Sequence, residues 1–291
     1  SRFPNLERRR YRIVQGLDSA AVLVRDGAVA FAVAEERLTR DKGTGAFPQR
    51  AIEACLAGAR LDPDRIDCVA HCFDYGPCRH LFRMDPDLWD WWSGVYDPQR
   101  QAGLLERHFP GVDWGRRLIS VPHHLAHAAS AFYPSGFQEA LVMVSDGMGE
   151  LDSLSLYAVV GKRFEPLASI SAFHSLGVLY GVFTLYLGFA FGMDEYQVMG
   201  LAPYGNPERY RDAVMDLVQL RDDGTYLIPL FASDVTPIER ETHDGVLAVL
   251  AKRFGPPRLP GDEITDRIRD LAAAVQAVFE TVQIHVLGHF A

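Results

Sequence analysis

The sequence Val121-Pro-His-His-Leu-Ala-His-Ala-Ala-Ser130, with Leu141-Val-Met-Val-Ser-Asp-Gly-Met-Gly-Glu150 after it, decides the expected fold. The small and apolar residues around His123 and His127 favour a helix, in which residues four apart share one face with Cβ atoms about 5–6 Å apart. Two imidazoles at this spacing suit a shared metal ion. Solvated or core histidines also show this spacing by chance, so the pair alone leaves both interpretations open.

An apolar run at residues 140–144 predicts a buried strand that ends in an acidic, glycine-containing turn at residues 146–150. Such a turn presents backbone N–H groups and a carboxylate, which suits a nucleotide phosphate or a metal ion. A strand that ends in Asp-Gly is often only a turn. Because this turn follows the histidine segment so closely along the chain, we expect metal and phosphate to share one site.

The composition predicts a globular protein with one large domain or two lobes, since 291 residues with 48% apolar side chains can bury a sizeable core. A formal net charge of −9 argues against general affinity for nucleic acid or anionic membranes. The apolar runs stop short of membrane-spanning length and no signal peptide opens the sequence, which predicts a soluble protein. The cysteines form no disulfide framework and indicate a reducing, cytoplasmic setting: Cys55, Cys68, Cys72 and Cys78. A structural zinc site that combines them with His71 and His80 is disfavoured because paired Cys-x-x-Cys spacing is missing.

Alternating and helical apolar patterns predict the order strand, strand, helix, strand in the first part of the chain. We expect strands at residues 19–24, 28–35, 66–72, 117–121, 154–160 and 164–170, and helices at residues 48–59, 175–191, 207–220, 237–254 and 264–288. Gly200 and Gly205 would permit close backbone approach.

Two further segments have sequence patterns that suggest a functional role. The charged run at residues 35–42 leads into Gly43-Thr44-Gly45, where Lys42 is the best candidate for a phosphate contact and a solvated charge run is the default. Residues 79–114 depart from regular patterning and carry Trp89, Trp91 and Trp92 among acidic residues and prolines. These rings either line a substrate cleft or pack over the core.

Five motifs resemble, in order and spacing, the O-carbamoyltransferases: Ala-Glu-Glu-Arg-Leu-Thr-Arg-Asp-Lys at 34–42, His-His-Leu-Ala-His-Ala-Ala-Ser at 123–130, Ser-Asp-Gly-Met-Gly-Glu at 145–150, Ser-Leu-Gly-Val-Leu-Tyr at 175–180 and Val-Met-Gly-Leu-Ala-Pro-Tyr-Gly at 198–205. This family includes nodulation-factor and antibiotic-tailoring enzymes. The resemblance implies an α/β protein with the actin/sugar-kinase/Hsp70-like (ASKHA) fold of two ribonuclease-H-like lobes. Residues 1–138 would form the first lobe, with an aromatic insertion at 79–114, and residues 139–291 a truncated second lobe with helical insertions. We expect the C-terminal YrdC-like domain of the family to be absent from this chain.

The resemblance also implies an ATP-dependent reaction. Family members make carbamoyl adenylate from carbamoyl phosphate and ATP in the YrdC-like domain and then transfer the carbamoyl group to a substrate hydroxyl, here one of a small natural product. His123 and His127 would bind an iron-type divalent metal. Lys42 matches a family lysine beside the nucleotide, and we expect Asp18 and Lys42 to be catalytic. Four residues of the acidic turn would bind the nucleotide: Asp146, Gly147, Gly149 and Glu150.

Several positions depart from the family pattern. Leu17 stands before Asp18 where the family usually has histidine, and Gln197 stands where a lysine is common. The family's third metal ligand, an aspartate, is expected beyond residue 291, so one partner would be a missing C-terminal half or partner chain. The other expected partners are carbamoyl phosphate and a small-molecule hydroxyl acceptor. We expect neither nucleic acid nor a membrane as a partner. The alternatives are a catalytically silent nucleotide- or metal-binding subunit, threonylcarbamoyl transfer to tRNA adenosine, and hydrogenase maturation.

Overall fold

The computed structural model describes residues 18–83, 89–90 and 92–291. Within these residues the chain forms two compact units, one ending at Ala126 and the other beginning at His127. The boundary falls inside a single helix. The predicted division into lobes after residue 138 stays a prediction.

The unit of residues 18–126 begins with an antiparallel hairpin of β1 (Ala20–Arg25) and β2 (Ala28–Ala34). The turn between them places Asp26 and Gly27 at φ angles of 54° and 78°, which these two residue types tolerate well. Two short parallel strands follow, β3 (Val69–His71) and β4 (Leu118–Ser120). The helices of this unit include α1 (Glu35–Thr39), α2 (Gln49–Ala59), α3 (Arg79–Phe82), α4 (Pro98–His108) and α5 (Trp114–Arg117), with a π-helical turn at Trp92–Tyr96. The predicted hairpin and the helix at 48–59 are confirmed.

The charged run at residues 35–42 contributes to the fold of this unit. The buried carboxylate of Glu35 accepts the N–H groups of Ala51 at 2.7 Å and Arg50 at 3.3 Å, at the start of α2. Such a carboxylate satisfies N–H groups that a helix leaves without partners in its first turn. Glu36 accepts the N–H of Gly43 at 2.9 Å. Glu36 therefore bonds directly to the loop that carries Lys42, and Glu35 fixes the start of the helix that follows this loop.

The unit of residues 127–291 is built around an antiparallel sheet with the strand order β5-β6-β7. These strands are β5 (Glu139–Ser145), β6 (Asp152–Val160) and β7 (Arg163–Ser171), which confirms the predicted strand at 140–144 and the predicted hairpin around Gly161. Helix α6 (His123–Ser135) precedes β5. Its Ala128 and Phe132 form one apolar cluster with Val142 and Val144, so α6 packs against the sheet beside β5.

A helical core completes this unit. It contains α7 (Leu176–Tyr186), α8 (Glu195–Leu201), α9 (Arg211–Met215), α10 (Pro237–Thr242), α11 (Asp244–Phe254) and α12 (Asp266–Phe290). The predicted helix at residues 264–288 is confirmed as α12, and its apolar residues are buried in the core: Ile268, Leu271, Val275, Val278 and Val282. Among the described residues, α12 is also long and apolar enough to cross a membrane. Core helices of soluble proteins reach the same length and composition, and α12 contributes many residues to the core of this unit.

Three predicted elements differ from the observed ones. The helix expected at 207–220 is the short α9 followed by β8 (Gln219–Leu220), which pairs with β9 (Tyr226–Leu227). The helix expected at 237–254 is interrupted at His243, whose φ of 56° cannot continue a right-handed helix.

The third difference is α4, which lies in the segment expected to be irregular. Asp97 accepts the N–H of Gln99 at 2.9 Å and Pro98 takes the first helical position, a recognisable helix start. The predicted mixed α/β class is confirmed, with small sheets, and is consistent with the N-terminal part of an ASKHA-like protein. The arrangement of two ribonuclease-H-like lobes stays a prediction.

Candidate metal centre

Helix α6 and the turn after β5 bring three potential metal ligands together, namely His123, His127 and Asp146. One ligand atom from each residue lies within 4.8 Å of the others, and Nε2 of His127 lies 3.6 Å from Oδ2 of Asp146. Both histidines lie on α6, as the sequence predicts. Because both histidines lie on this helix, four residues apart, its geometry sets their spacing.

The donor set and its spacing fit a divalent metal ion. Imidazole nitrogen and carboxylate oxygen lie about 2.0–2.2 Å from such an ion, so two ligands of one ion are at most about 4.4 Å apart. A movement of less than about 1 Å by one side chain is enough to satisfy this limit. The side chains of His127 and Asp146 are 51% and 34% exposed, so the group is accessible from solution. The arrangement can therefore hold a metal ion and leave coordination positions for water or substrate.

The ring of His123 is oriented by the backbone. Its Nδ1 lies 3.0 Å from the carbonyl oxygen of Cys72. A neutral histidine that donates through Nδ1 keeps the lone pair of Nε2 for a metal, and metal-binding histidines usually show such a bond. The Cys72 carbonyl thus selects the tautomer that metal binding requires.

Hydrogen bonds within its own turn hold Asp146. Its N–H donates to the carbonyl of Ser153 at 2.8 Å, and the N–H of Gly149 donates to the carbonyl of Asp152 at 2.8 Å. The N–H of Gly147 donates to Oδ1 of Asp146 at 2.6 Å. This last bond engages one carboxylate oxygen and leaves Oδ2 directed at His127.

The start of α7 supports the same turn. The hydroxyl of Ser175 donates to the carbonyl oxygen of Gly147 at 2.6 Å and accepts the N–H of Val178 at 3.0 Å, so Ser175 both caps α7 and ties it to the turn. Gly177 allows the close approach, because a Cβ there would lie 2.8 Å from the carbonyl oxygen of Asp146. The sequence-based site prediction did not include Ser175 and Gly177. A serine before an apolar run does signal a helix cap, but it does not reveal the turn that the cap contacts.

From the residues alone, the carboxylate of the acidic turn suits a phosphate or a metal ion, whereas the family resemblance implies that Asp146 lies at the nucleotide and that the third metal ligand lies beyond residue 291. The structure places the Asp146 carboxylate with the two histidines, so a third potential ligand lies within this chain. The predicted nucleotide contacts of Gly147, Gly149 and Glu150 stay predictions. At Gly147 a Cβ would meet no described atom within 4 Å. The fold alone therefore does not require glycine at this position.

The two predicted catalytic residues, Asp18 and Lys42, lie in the unit of residues 18–126. The N–H of Ser19 donates to the carbonyl of Thr44 at 3.0 Å, so the segments that carry Asp18 and Lys42 are neighbours. Their catalytic role stays a prediction. Two positions discussed from the sequence, Leu17 and Trp91, lie outside the described residues.

We expect Gly177→Ala to weaken divalent-metal binding by about tenfold, because the added methyl group would displace the Asp146 backbone that carries the carboxylate. The dissociation constant of Co2+, measured by competition with a coloured chelator, tests this expectation. Gly147→Ala is the control, since its methyl group enters open space and its N–H remains, and it should change the constant by less than about twofold. Equal affinities in the wild type and Gly177→Ala would contradict the expectation.

Comparison with known proteins identifies relatives of this chain. Residues 112–290 match the family described as "Carbamoyltransferase N-terminus". The chain is 37% identical over 273 residues to nodulation protein NolNO of Sinorhizobium fredii, an alignment that covers 94% of this chain and 38% of that protein. It is 35% identical over 292 residues to protein sll1178 of Synechocystis, covering 92% of this chain and 46% of that protein. Nodulation protein NolO of Bradyrhizobium diazoefficiens is 35% identical over 167 residues, covering 57% of this chain and 28% of that protein.

The chain spans less than half the length of each of these relatives. The family match covers more than half of the chain and contains α6, the acidic turn and the start of α7. The resemblance to carbamoyltransferases that the five motifs indicate is thereby confirmed. This chain belongs to the carbamoyltransferase family and corresponds to its N-terminal part.

Proposed function

We propose that this chain is the region of an ATP-dependent O-carbamoyltransferase in which a carbamoyl group passes from carbamoyl adenylate to a hydroxyl of a small natural product. The observation that carries the proposal is the group formed by His123 and His127 of α6 and by Asp146, which directly follows β5 and precedes Gly147. Family membership supports carbamoyl transfer in general. The identity of the acceptor class rests on the resemblance of the motifs alone.

In this proposal the two histidines and Asp146 hold a divalent metal ion, with iron as the favoured identity. Two imidazoles and one carboxylate with open coordination positions are typical of non-haem iron(II) sites, although imidazole also suits zinc and other first-row metals. The bound ion would supply positive charge next to the carbamoyl oxygen or the phosphate, where negative charge develops during transfer.

The chain's own residues would bind and orient the other groups. The open space at Gly147 supports a nucleotide phosphate close to the backbone, where N–H groups of the turn can donate to it. Lys42 would offset the charge of the departing AMP, and Asp18 would accept the proton of the attacking hydroxyl. Formation of carbamoyl adenylate from carbamoyl phosphate and ATP is assigned to a part of the protein beyond this chain, or to a partner chain, in line with the greater length of the relatives. A cytoplasmic location fits this nucleotide chemistry.

The test supplies synthetic carbamoyl adenylate and polyhydroxylated acceptors, such as aminoglycosides and chitin oligosaccharides, to protein loaded with Fe2+ under anaerobic conditions. Mass spectrometry should detect a carbamoylated acceptor with the wild type and none with His127→Ala. His80→Ala, which alters an exposed histidine outside the group, is the matched control and should keep the activity. Equal product from His127→Ala would contradict the proposal. Binding of metal and nucleotide without any transfer would favour a catalytically silent binding subunit instead.

A further inference from the structure

The ring of His123 has an aromatic neighbour that lies parallel to it. The ring centroids of His123 and Phe73 are 4.1 Å apart, and the two planes are inclined by 8°. Phe73 directly follows Cys72, whose carbonyl oxygen contacts Nδ1 of the same histidine. Two adjacent residues after β3 therefore contact the His123 ring, one at its edge and the other on its face.

These two contacts restrict different motions of the ring. The bond to the Cys72 carbonyl fixes the tautomer and one edge, but it still allows the ring to tilt about the Nδ1–oxygen axis. A parallel ring on the face opposes that tilt, since it would lose stacking contact. Together they hold Nε2 in one direction before a metal arrives, which lowers the entropy lost on binding.

Phe73 is itself held by other rings. It stacks on Tyr75 with a centroid distance of 5.8 Å and an angle of 12°. Tyr75 is buried, and its ring centroid lies 4.0 Å from that of Tyr96. The ring of Phe82 contacts Tyr75 edge-on, with a centroid distance of 5.7 Å. Rings packed in this way leave Phe73 little freedom to turn away from His123. Part of the aromatic insertion at residues 79–114 thus supports the candidate metal centre through Tyr75 and Phe73.

We propose that Phe73 is a positioning residue that sets the metal affinity of the centre by holding the His123 ring with Nε2 directed at the ion. This inference rests on the proposed metal centre. It assigns Phe73 no contact with the metal or the substrate.

The test measures Co2+ binding by chelator competition and by visible absorption, whose bands report the geometry of the ligands. Phe73→Leu should raise the dissociation constant by about tenfold and alter the absorption bands, in the range typical of lost support around a ligand. Phe73→Tyr retains a flat ring and should restore the affinity to within about twofold of the wild type. Phe47→Leu, which removes a ring that stacks on His108 outside the candidate metal centre, is the matched control and should leave the constant unchanged.

A second measurement does not depend on these variants folding. In the metal-free wild type, the 15N chemical shifts of His123 should show a proton on Nδ1 and none on Nε2 at a pH where the ring is neutral. A proton on Nε2 would overturn the inference, as would equal Co2+ affinities of Phe73→Leu and the wild type. If the wild type binds no Co2+, the proposed metal centre fails, and the inference fails with it. If the wild type binds Co2+ and Phe73→Leu binds it equally well, the inference alone fails.

Discussion

Replacing Asp146 with asparagine should weaken the binding of a divalent metal by about 100-fold or more while the protein stays folded. Asp146 supplies the anionic ligand of the group, and its Oδ2 lies 3.6 Å from Nε2 of His127. Asparagine has nearly the same shape, and its amide oxygen can still accept the N–H of Gly147, so the turn should persist. What the variant loses is the negative charge and one good oxygen ligand. Metal content by mass spectrometry on anaerobically purified protein, together with Co2+ titration, measures the loss.

Asp152→Asn is the matched control for this variant. It removes a carboxylate from the opposite side of the same turn. The Asp152 side chain is hydrogen-bonded to Ser169, and burial raises the pKa of its carboxyl group. If Asp146 acts as a ligand, Asp152→Asn should change the affinity by less than about threefold, through weak long-range electrostatics alone. Similar losses in both variants would show that Asp146 contributes only general negative charge, and the ligand assignment would be wrong.

The parts of the centre that could be predicted are those specified by local sequence. The helix that carries both histidines follows from a short run of small and apolar residues, and the strand that ends at Ser145 follows from an apolar run with a glycine-containing turn after it. The spacing of apolar residues and the presence of turn-forming residues depend on a few neighbouring positions, so both predict local structure without knowledge of the rest of the fold.

The local sequence indicates that the acidic turn suits a phosphate or a metal ion, but the position of Asp146 beside the two histidines could not be predicted in this way. It depends on how far α6 and the end of β5 are separated after packing, which Ala128, Phe132 and Val142 determine through long-range contacts. The support from Ser175 and Gly177 has the same origin, because the two residues lie far along the chain from the turn that they contact.

The charged run before Lys42 illustrates a different difficulty. Glutamates beside a glycine-rich loop suggest phosphate chemistry or plain solvation, and the sequence does not distinguish them from a structural role. In the fold, Glu35 of α1 is buried and its carboxylate accepts the N–H of Ala51 at the start of α2. Glu36 accepts the N–H of Gly43. Two residues of the motif therefore have structural roles, because they hold the backbone of this region in place. Lys42 remains the candidate of this run for a contact with phosphate.

Substituting alanine for Gly205 should lower the free energy of unfolding by about 3 kcal/mol or more. A Cβ at Gly205 would lie 2.0 Å from the carbonyl oxygen of Arg269, which is part of the backbone of α12. The segment cannot easily move away, since the N–H of Asn206 donates to the buried carboxylate of Asp270 at 2.6 Å and Arg209 donates to the same carboxylate at 2.9 Å. Either the helix backbone shifts or these bonds lengthen, and each response costs stability. Urea denaturation of the two proteins gives the difference.

Gly200→Ala is the control, because both glycines belong to the motif at residues 198–205 and were expected to permit close backbone approach. The structure confirms that expectation for Gly205; at Gly200 a Cβ would meet no described atom within 4 Å, and the expectation stays a prediction there. Gly200 is exposed and lies within α8, so alanine should stabilise the protein by up to about 1 kcal/mol through its higher helix propensity. If both variants lose stability equally, packing against α12 does not distinguish the two glycines. The opposite signs expected here would separate a glycine that the fold requires from one whose role in the motif lies outside packing.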